Sequence, residues 1–326
     1  MRRTKLHLES FCLANLARIA ALALLSFVVG GRSVAQQPGQ KTFLSPEEAS
    51  QALFAAALSN DKNAMLEILG PDGKDIVSSG DEVEDKTNHA KFAMKYQEMH
   101  RLVKEPDGTV VLYVGAENWP CPIPLVNKGN AWYYDTDAGK REILFRRVGR
   151  NEMSAIRICQ GLVAAQKEYY SAQNSEYAQQ IFSDEGKHNG LYWKAAAGEP
   201  QSPIGPAVAA AVAEGYNKGQ SGPPTPYHGY LFHVLTRQGK HAAGGARSYI
   251  VNGKLTEGFA FVAYPAEYRS SGVMTFIVNS DGVVYQKDLG KKTEALGKAM
   301  KEYGLDSTWR KAEDSPEVTA SQQKNQ

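Results

Sequence analysis

The sequence lacks a surplus of charge of either sign. Across 326 residues, 37 Lys and Arg face 35 Asp and Glu, a formal net charge of +2. The first 35 residues carry Arg2, Arg3, Lys5, Arg18 and Arg32 against Glu9 alone, a local +4. Taking +4 from +2 leaves −2 for the rest, so the body of the chain is faintly acidic. That argues against a non-specific polyanion binder and gives no support to a nucleic-acid role. Long apolar runs are also missing. The run at residues 19–29 is about eleven residues, too short to span a bilayer as a helix. No HExxH pair occurs, and no Gly-x-Ser-x-Gly elbow. The glycine-rich stretch 239–245 has no Lys-Ser/Thr ending, so it is not a phosphate loop. No repeat of fixed period is present.

What is there begins with an address. Arg2, Arg3, Lys5 and Arg18 precede the apolar run, and Ser33-Val34-Ala35 is a small-x-small site followed by Gln36. This pattern predicts a secretory signal cleaved after Ala35, with export to the periplasm or beyond and no membrane span in the mature chain. Cys12 precedes the apolar run, so it is not a lipid-attachment cysteine. Two cysteines remain, Cys121 and Cys159. An exporting compartment permits a disulfide between them. Against that, Cys159 shares an apolar helical stripe with Ala155, Ile156, Leu162 and Val163, which suits a core thiol.

Hydrophobic residues make up 42% of the chain, enough for real cores. The patterning predicts an α+β protein of two domains. Residues 36–42 read as a polar linker, 43–149 as the first domain, 150–311 as the second and 312–326 as a disordered tail. Ser45-Pro46-Glu47-Glu48 is a helix start, and Ala49, Ala52, Leu53, Ala56 and Ala57 follow with helical spacing. Asn60-Asp61 opens a second helix that Gly70-Pro71 ends. A third helix is expected over 87–103, with Phe92, Tyr96, Met99 and Val103 on one stripe. Strand-like segments follow at 109–114, 123–127 and 131–134. Three helices before an antiparallel sheet fit a cone-shaped sheet of the nuclear transport factor two-like kind. Asp137 reads as the cap of a helix interrupted by Gly149, and Asn151 as the cap of a longer helix from Glu152 to about residue 172. Residues 173–227 are rich in Gly, Pro, Ala and Ser, with one short helix expected near 207–214. Strands are expected at 230–235, 259–264, 273–279 and 283–287, then a last helix over 291–303.

Several phrases resemble one family. Among them are Phe43-Leu44-Ser45-Pro46-Glu47-Glu48-Ala49, Trp119-Pro120-Cys121-Pro122-Ile123-Pro124, Arg146-Arg147-Val148-Gly149-Arg150-Asn151-Glu152, Tyr227-His228-Gly229-Tyr230 and Asp281-Gly282-Val283-Val284-Tyr285. Together, over residues 43–310, they resemble the bacterial domain-of-unknown-function 2950 family. The resemblance implies export from a Gram-negative cell and carries no activity. Cys121 stands where the family has an aromatic, which weakens any catalytic role for that thiol. The order of elements in the second half is similar to the globular heads of type IV pilins and pseudopilins. About 120 residues separate its long helix from the export segment, so it resembles a pilin head in an exported protein, not a pilus subunit.

Candidate functional residues are few. His228, His233 and His241 lie within fourteen residues, and imidazole suits zinc or copper, but none forms a close pair of metal-ligand spacing. The acidic stretch 81–85 lacks the calcium-loop pattern and reads as a solvated turn. No metal and no cofactor is therefore expected. Arg146 and Arg147 with Asn151 and Glu152 could grip an anion, or form an ion-pair cluster between domains. Trp119, Trp193, His228 and Asp288 complete the set, as aromatic or polar groups at element ends. The residues point to a non-enzymatic exported protein that binds an envelope protein or polymer. The alternative is a periplasmic hydrolase acting on wall or polysaccharide, with His228, Asp288, Trp193 and the 146–152 segment converging on a cleft where the domains meet.

Overall fold

A computed structural model of the chain describes residues 36–78, 82–172, 175–193, 195, 200–204 and 226–312. The signal segment 1–35, the helix expected near 207–214 and the tail beyond 312 lie outside the described residues. The architecture is α+β, with helices and mainly antiparallel sheets. It divides into two compact units, Met1–Lys140 and Arg141–Gln326. No described helix is long and apolar enough to cross a membrane.

In the first unit, helix α1 (Pro46–Leu58) starts where its capping residues dictate. Ser45 Oγ accepts the Glu48 N–H at 3.1 Å, and the Glu48 carboxylate reaches back to the Leu44 N–H at 2.9 Å. Helix α2 (Lys62–Leu69) is capped by Asp61, whose carboxylate accepts the Ala64 N–H, and it ends at Gly70 with φ of 80°. A 3-10 turn and the short helix α3 (Lys74–Val77) follow, then helix α4 (Glu82–Glu98). The apolar spacing carries α4 on to residue 103, but the chain leaves it five residues earlier. The Gly115 N–H takes up the carbonyls of Lys95 and Met99 at the helix end. Leu102 and Val103 then enter β1 (His100–Lys104), which pairs along its whole length with β2 (Val110–Val114). A complete ladder outweighs the last turn of a helix. The acidic stretch is also not a solvated turn throughout. Asp85 is buried and accepts from Lys62 Nζ at 2.8 Å and Ser78 Oγ at 2.7 Å, the partners a buried carboxylate requires.

The sheet runs β1-β2-β4-β5, with β4 at Leu125–Lys128 and β5 at Ala131–Tyr134. Strand β3 (Trp119–Pro120) is only two residues long and lies on β2, because Pro120, Pro122 and Pro124 cannot donate to a ladder. Gln40 is buried, and its amide donates to the carbonyls of Ile68 and Tyr134, so the stretch 36–42 is stitched to the unit. The apolar interior has two parts. One joins Phe43, Leu53, Met65, Ile68, Leu125 and Tyr134; the other joins Tyr96, Leu112, Val114 and Cys121.

Helix α5 (Thr136–Ala172) is one element of 37 residues, where the spacing predicts two. Its cap is Asp135, not Asp137: the Asp135 carboxylate accepts the Ala138 N–H at 2.9 Å. Gly149 does not interrupt it, since an interior glycine costs a helix only about 1 kcal/mol relative to alanine. Asn151 is not a cap either. Its amide donates to the Ser271 carbonyl at 2.9 Å, and Glu152 Oε1 accepts the N–H groups of Val273 and Met274 at 2.8 and 3.0 Å. These tertiary bonds carry the helix through the point where local signals would end it.

The second unit is built on a five-stranded sheet in the order β15-β13-β12-β11-β6. The strands are β6 (Tyr230–Leu235), β11 (Ala260–Pro265), β12 (Met274–Asn279), β13 (Val284–Asp288) and β15 (Arg310–Lys311). Antiparallel register sets Val262 beside His233 and Ile277 on one face, and Ala263 beside Phe232 and Phe276 on the other. All six residues of β11 are buried, so both faces are covered. Helix α5 covers the second face, where Tyr230 lies near Glu152 and Cys159 and burial drives its phenol pKa up. The first face is covered by helix α6 (Thr293–Ala299), which replaces the longer helix expected over 291–303. A Cβ on Gly297 would stand 2.4 Å from the Tyr264 ring, so this close approach requires glycine. A small sheet of β7 (Arg237–Gln238), β8 (Arg247–Ser248) and β14 (Glu302–Tyr303), with the hairpin β9 (Ile250–Val251) and β10 (Lys254–Leu255), completes the unit. Cys121 and Cys159 are both buried cysteines, and burial pushes the Cys159 thiol up to about 12.

Candidate functional site

The first unit holds a recess of about 650 Å³ between α1, α4 and β1. Helix α1 lines it with Glu47, Ser50, Gln51 and Phe54, α4 with Tyr96 and Gln97, and β1 with His100 and Leu102. The placement follows from helical geometry. Residues 47, 50, 51 and 54 fall at i, i+3, i+4 and i+7, one stripe beside the alanine stripe that α1 buries. The volume lies in the roughly 300–1,000 Å³ range of small-molecule sites.

Its wall is a column of three rings. Phe54 and Tyr96 stack at 4.5 Å and 12°, and Tyr96 and His100 at 3.9 Å and 9°. Two rings so close and so nearly parallel to Tyr96 must take opposite faces of it, so Tyr96 is the middle ring. Its burial, at 6% exposure, agrees with that place. Polar contacts fix the column. The single Ser50 hydroxyl proton goes to the Glu47 carbonyl at 3.0 Å. In the Ser50–Tyr96 contact at 3.3 Å the phenol is therefore the donor. His100 Nδ1 lies 2.9 Å from the Tyr96 carbonyl, which can only accept. Nδ1 thus holds a proton, and Nε2 is the ring nitrogen left without that bond. The side chains of Glu47, Gln51, Gln97 and His100 are exposed around these rings. The arrangement offers aromatic faces and uncharged hydrogen-bonding groups, with Glu47 as the carboxylate.

The residues singled out from sequence lie elsewhere. Trp119 sits on β3, 46% exposed. Arg146 pairs with Glu142 on its own helix at 2.7 Å, and Arg147 is exposed. Trp193 stacks on His188 and donates its indole N–H to the Pro200 carbonyl. The other four do come together. Antiparallel pairing brings the start of β6, the start of β12 and the end of β13 to one end of the second sheet. His228 precedes β6, Asp288 closes β13, and Asn151 and Glu152 reach the loop before β12. Yet Asn151, Glu152 and Asp288 are engaged in holding backbone. Asp288 accepts from the Tyr268 hydroxyl and the Gly290 N–H, and Glu152 from two N–H groups. His233 is also structural: Nε2 meets the Met300 carbonyl at 2.8 Å, and burial lowers its pKa against that bond. Among the described residues no three His, Cys, Asp or Glu side chains cluster to hold a metal.

The recess residues carry a weak signal in the sequence. Tyr96 reads as a core residue of the third helix, and Glu47 as part of a helix start. Only the stacking of Phe54, Tyr96 and His100 across three elements reveals the site. A family model described as "Protein of unknown function (DUF2950)" matches residues 40–312. The chain belongs to that family. No curated protein and no solved structure matches it, so the likeness of the second half to pilin heads gains no support.

Proposed function

We propose that this DUF2950 protein is an exported, non-enzymatic binding protein of the cell envelope, with the recess of its first unit as the binding site. The observation that carries the reading is the column Phe54–Tyr96–His100 set beside exposed Gln51, Gln97 and Glu47. A hollow of this size with convergent polar groups is the physical form of a small-molecule site. Export is argued from the basic residues, the apolar run and the Ser33-Val34-Ala35 site. The hydrolase alternative has less support. It called on Asp288 and on the 146–152 segment, whose acid is Glu152, and both carboxylates already accept hydrogen bonds that hold backbone in place.

Two measurements test the proposal. Expressed at full length in a Gram-negative host, the protein should be recovered from the periplasm or the medium with Gln36 as its first residue. An uncleaved chain retained in the cytoplasm overturns export. A thermal-shift screen across sugars, amino acids, quaternary amines and organic acids should return at least one class that stabilises the wild type and not Phe54→Ala. A screen in which no class stabilises the wild type overturns the binding site.

A further inference from the structure

We infer that the recess takes a neutral saccharide. The inference rests on the reading of the recess as a binding site and concerns what fills it. Charge is the first constraint. No Lys or Arg lines the hollow, and Glu47 faces it. An anion would enter against that carboxylate without a cation to offset its lost hydration. The second constraint is ring geometry. The aromatic cages that take quaternary ammonium groups turn several ring faces toward the cation. Here the three rings are nearly parallel, at 12° and 9°, so the column has only two outward faces, those of Phe54 and His100. One flat aromatic face suits the C–H face of a pyranose ring.

The third constraint is the polar set. Gln51 and Gln97 each offer two donors and one acceptor, Glu47 offers acceptors, and His100 offers Nε2. Hydroxyl groups both donate and accept, and they are the ligand chemistry such a mixed set reads. Ser50 and Tyr96 already bond to each other, and Ser50 also to backbone. They build the wall, while the two glutamines and Glu47 meet the sugar.

The test titrates the mature protein with glucose, N-acetylglucosamine, maltose and cellobiose by calorimetry and saturation-transfer NMR. Choline and glucuronate are run in parallel. At least one neutral sugar should bind. Gln51→Ala and Gln97→Ala should each weaken it about tenfold, the scale of one lost hydrogen bond in a site. His100→Ala should weaken it too, and Gln179→Ala, far along the chain in an exposed loop, should not. If His100→Ala fails to fold, the two glutamine variants, at exposed positions, still decide the matter. Binding of choline or glucuronate in place of the sugars, lost in the same variants, overturns the saccharide and leaves the recess as a binding site. Sugar binding unchanged in the glutamine variants overturns the placement. No binding by any probe overturns the saccharide and, together with a blank thermal-shift screen, the site itself.

Discussion

The two units solve packing differently. The second closes one continuous core on both faces of its sheet, and its inner strand β11 is buried at every position. The first splits its apolar interior into two clusters and leaves a hollow beside the smaller one. The residues with the most distinctive phrasing in the second unit, Asn151, Glu152, Gly272 and Asp288, serve closure. A Cβ on Gly272 would lie 2.2 Å from the Tyr230 hydroxyl, and that hydroxyl donates to the Met274 carbonyl. Distinctive sequence therefore marks tight assembly in one unit, while the binding capacity of the other rests on ordinary residue types.

The largest effect expected is in the sealed core. Phe261→Ala, at a fully buried site, should cost about 3–5 kcal/mol in denaturant unfolding. Glu152→Ala strips an acceptor from two N–H groups and should cost about 2–3 kcal/mol, with Glu152→Gln recovering part. Phe54→Ala, at a half-buried wall of the recess, should cost only about 1–2 kcal/mol. If it costs as much as Phe261→Ala, the recess is core and the contrast between the units fails.

A smaller effect follows from Cys159. Its thiol is raised from an ordinary 9.0 to about 12, so the folded state keeps a proton that the unfolded state gives up sooner. The contribution is complete below about 9 and is lost as pH rises through about 12. By pH 10 about 1 kcal/mol of it should already be lost, read as the difference in pH slope between wild type and Cys159→Ala. Smallest of all, Gln51→Ala and Gln97→Ala should change stability by less than about 0.5 kcal/mol. A larger change at either would place that side chain in the framework of the unit.

Elements with local instructions were legible. Ser45, Asp61 and Gly70 mark their helix ends in sequence, and β11, β12 and β13 lie within a residue or two of their apolar runs. Elements decided by distant partners were not. Gly149 and Asn151 imitate a helix boundary, and only Ser271, Val273 and Met274, some 120 residues on, show why the helix continues. The end of α4 depends in the same way on Gly115. The recess escaped because its ring column is assembled from α1, α4 and β1, and no spacing within one segment encodes it.

Strand β15 is two residues long, yet it occupies the open edge of β13, and the buried Ala312 extends it by an N–H bond to the Val284 carbonyl. Its residues, Arg310 and Lys311, are cationic and exposed, while the strand beneath them carries Val284 and Tyr285. Short, charged segments of this kind stop a sheet from recruiting strands of other molecules. Arg310–Lys311 thus guards this edge, and a chain cut before it should leave β13 open to pairing with other molecules.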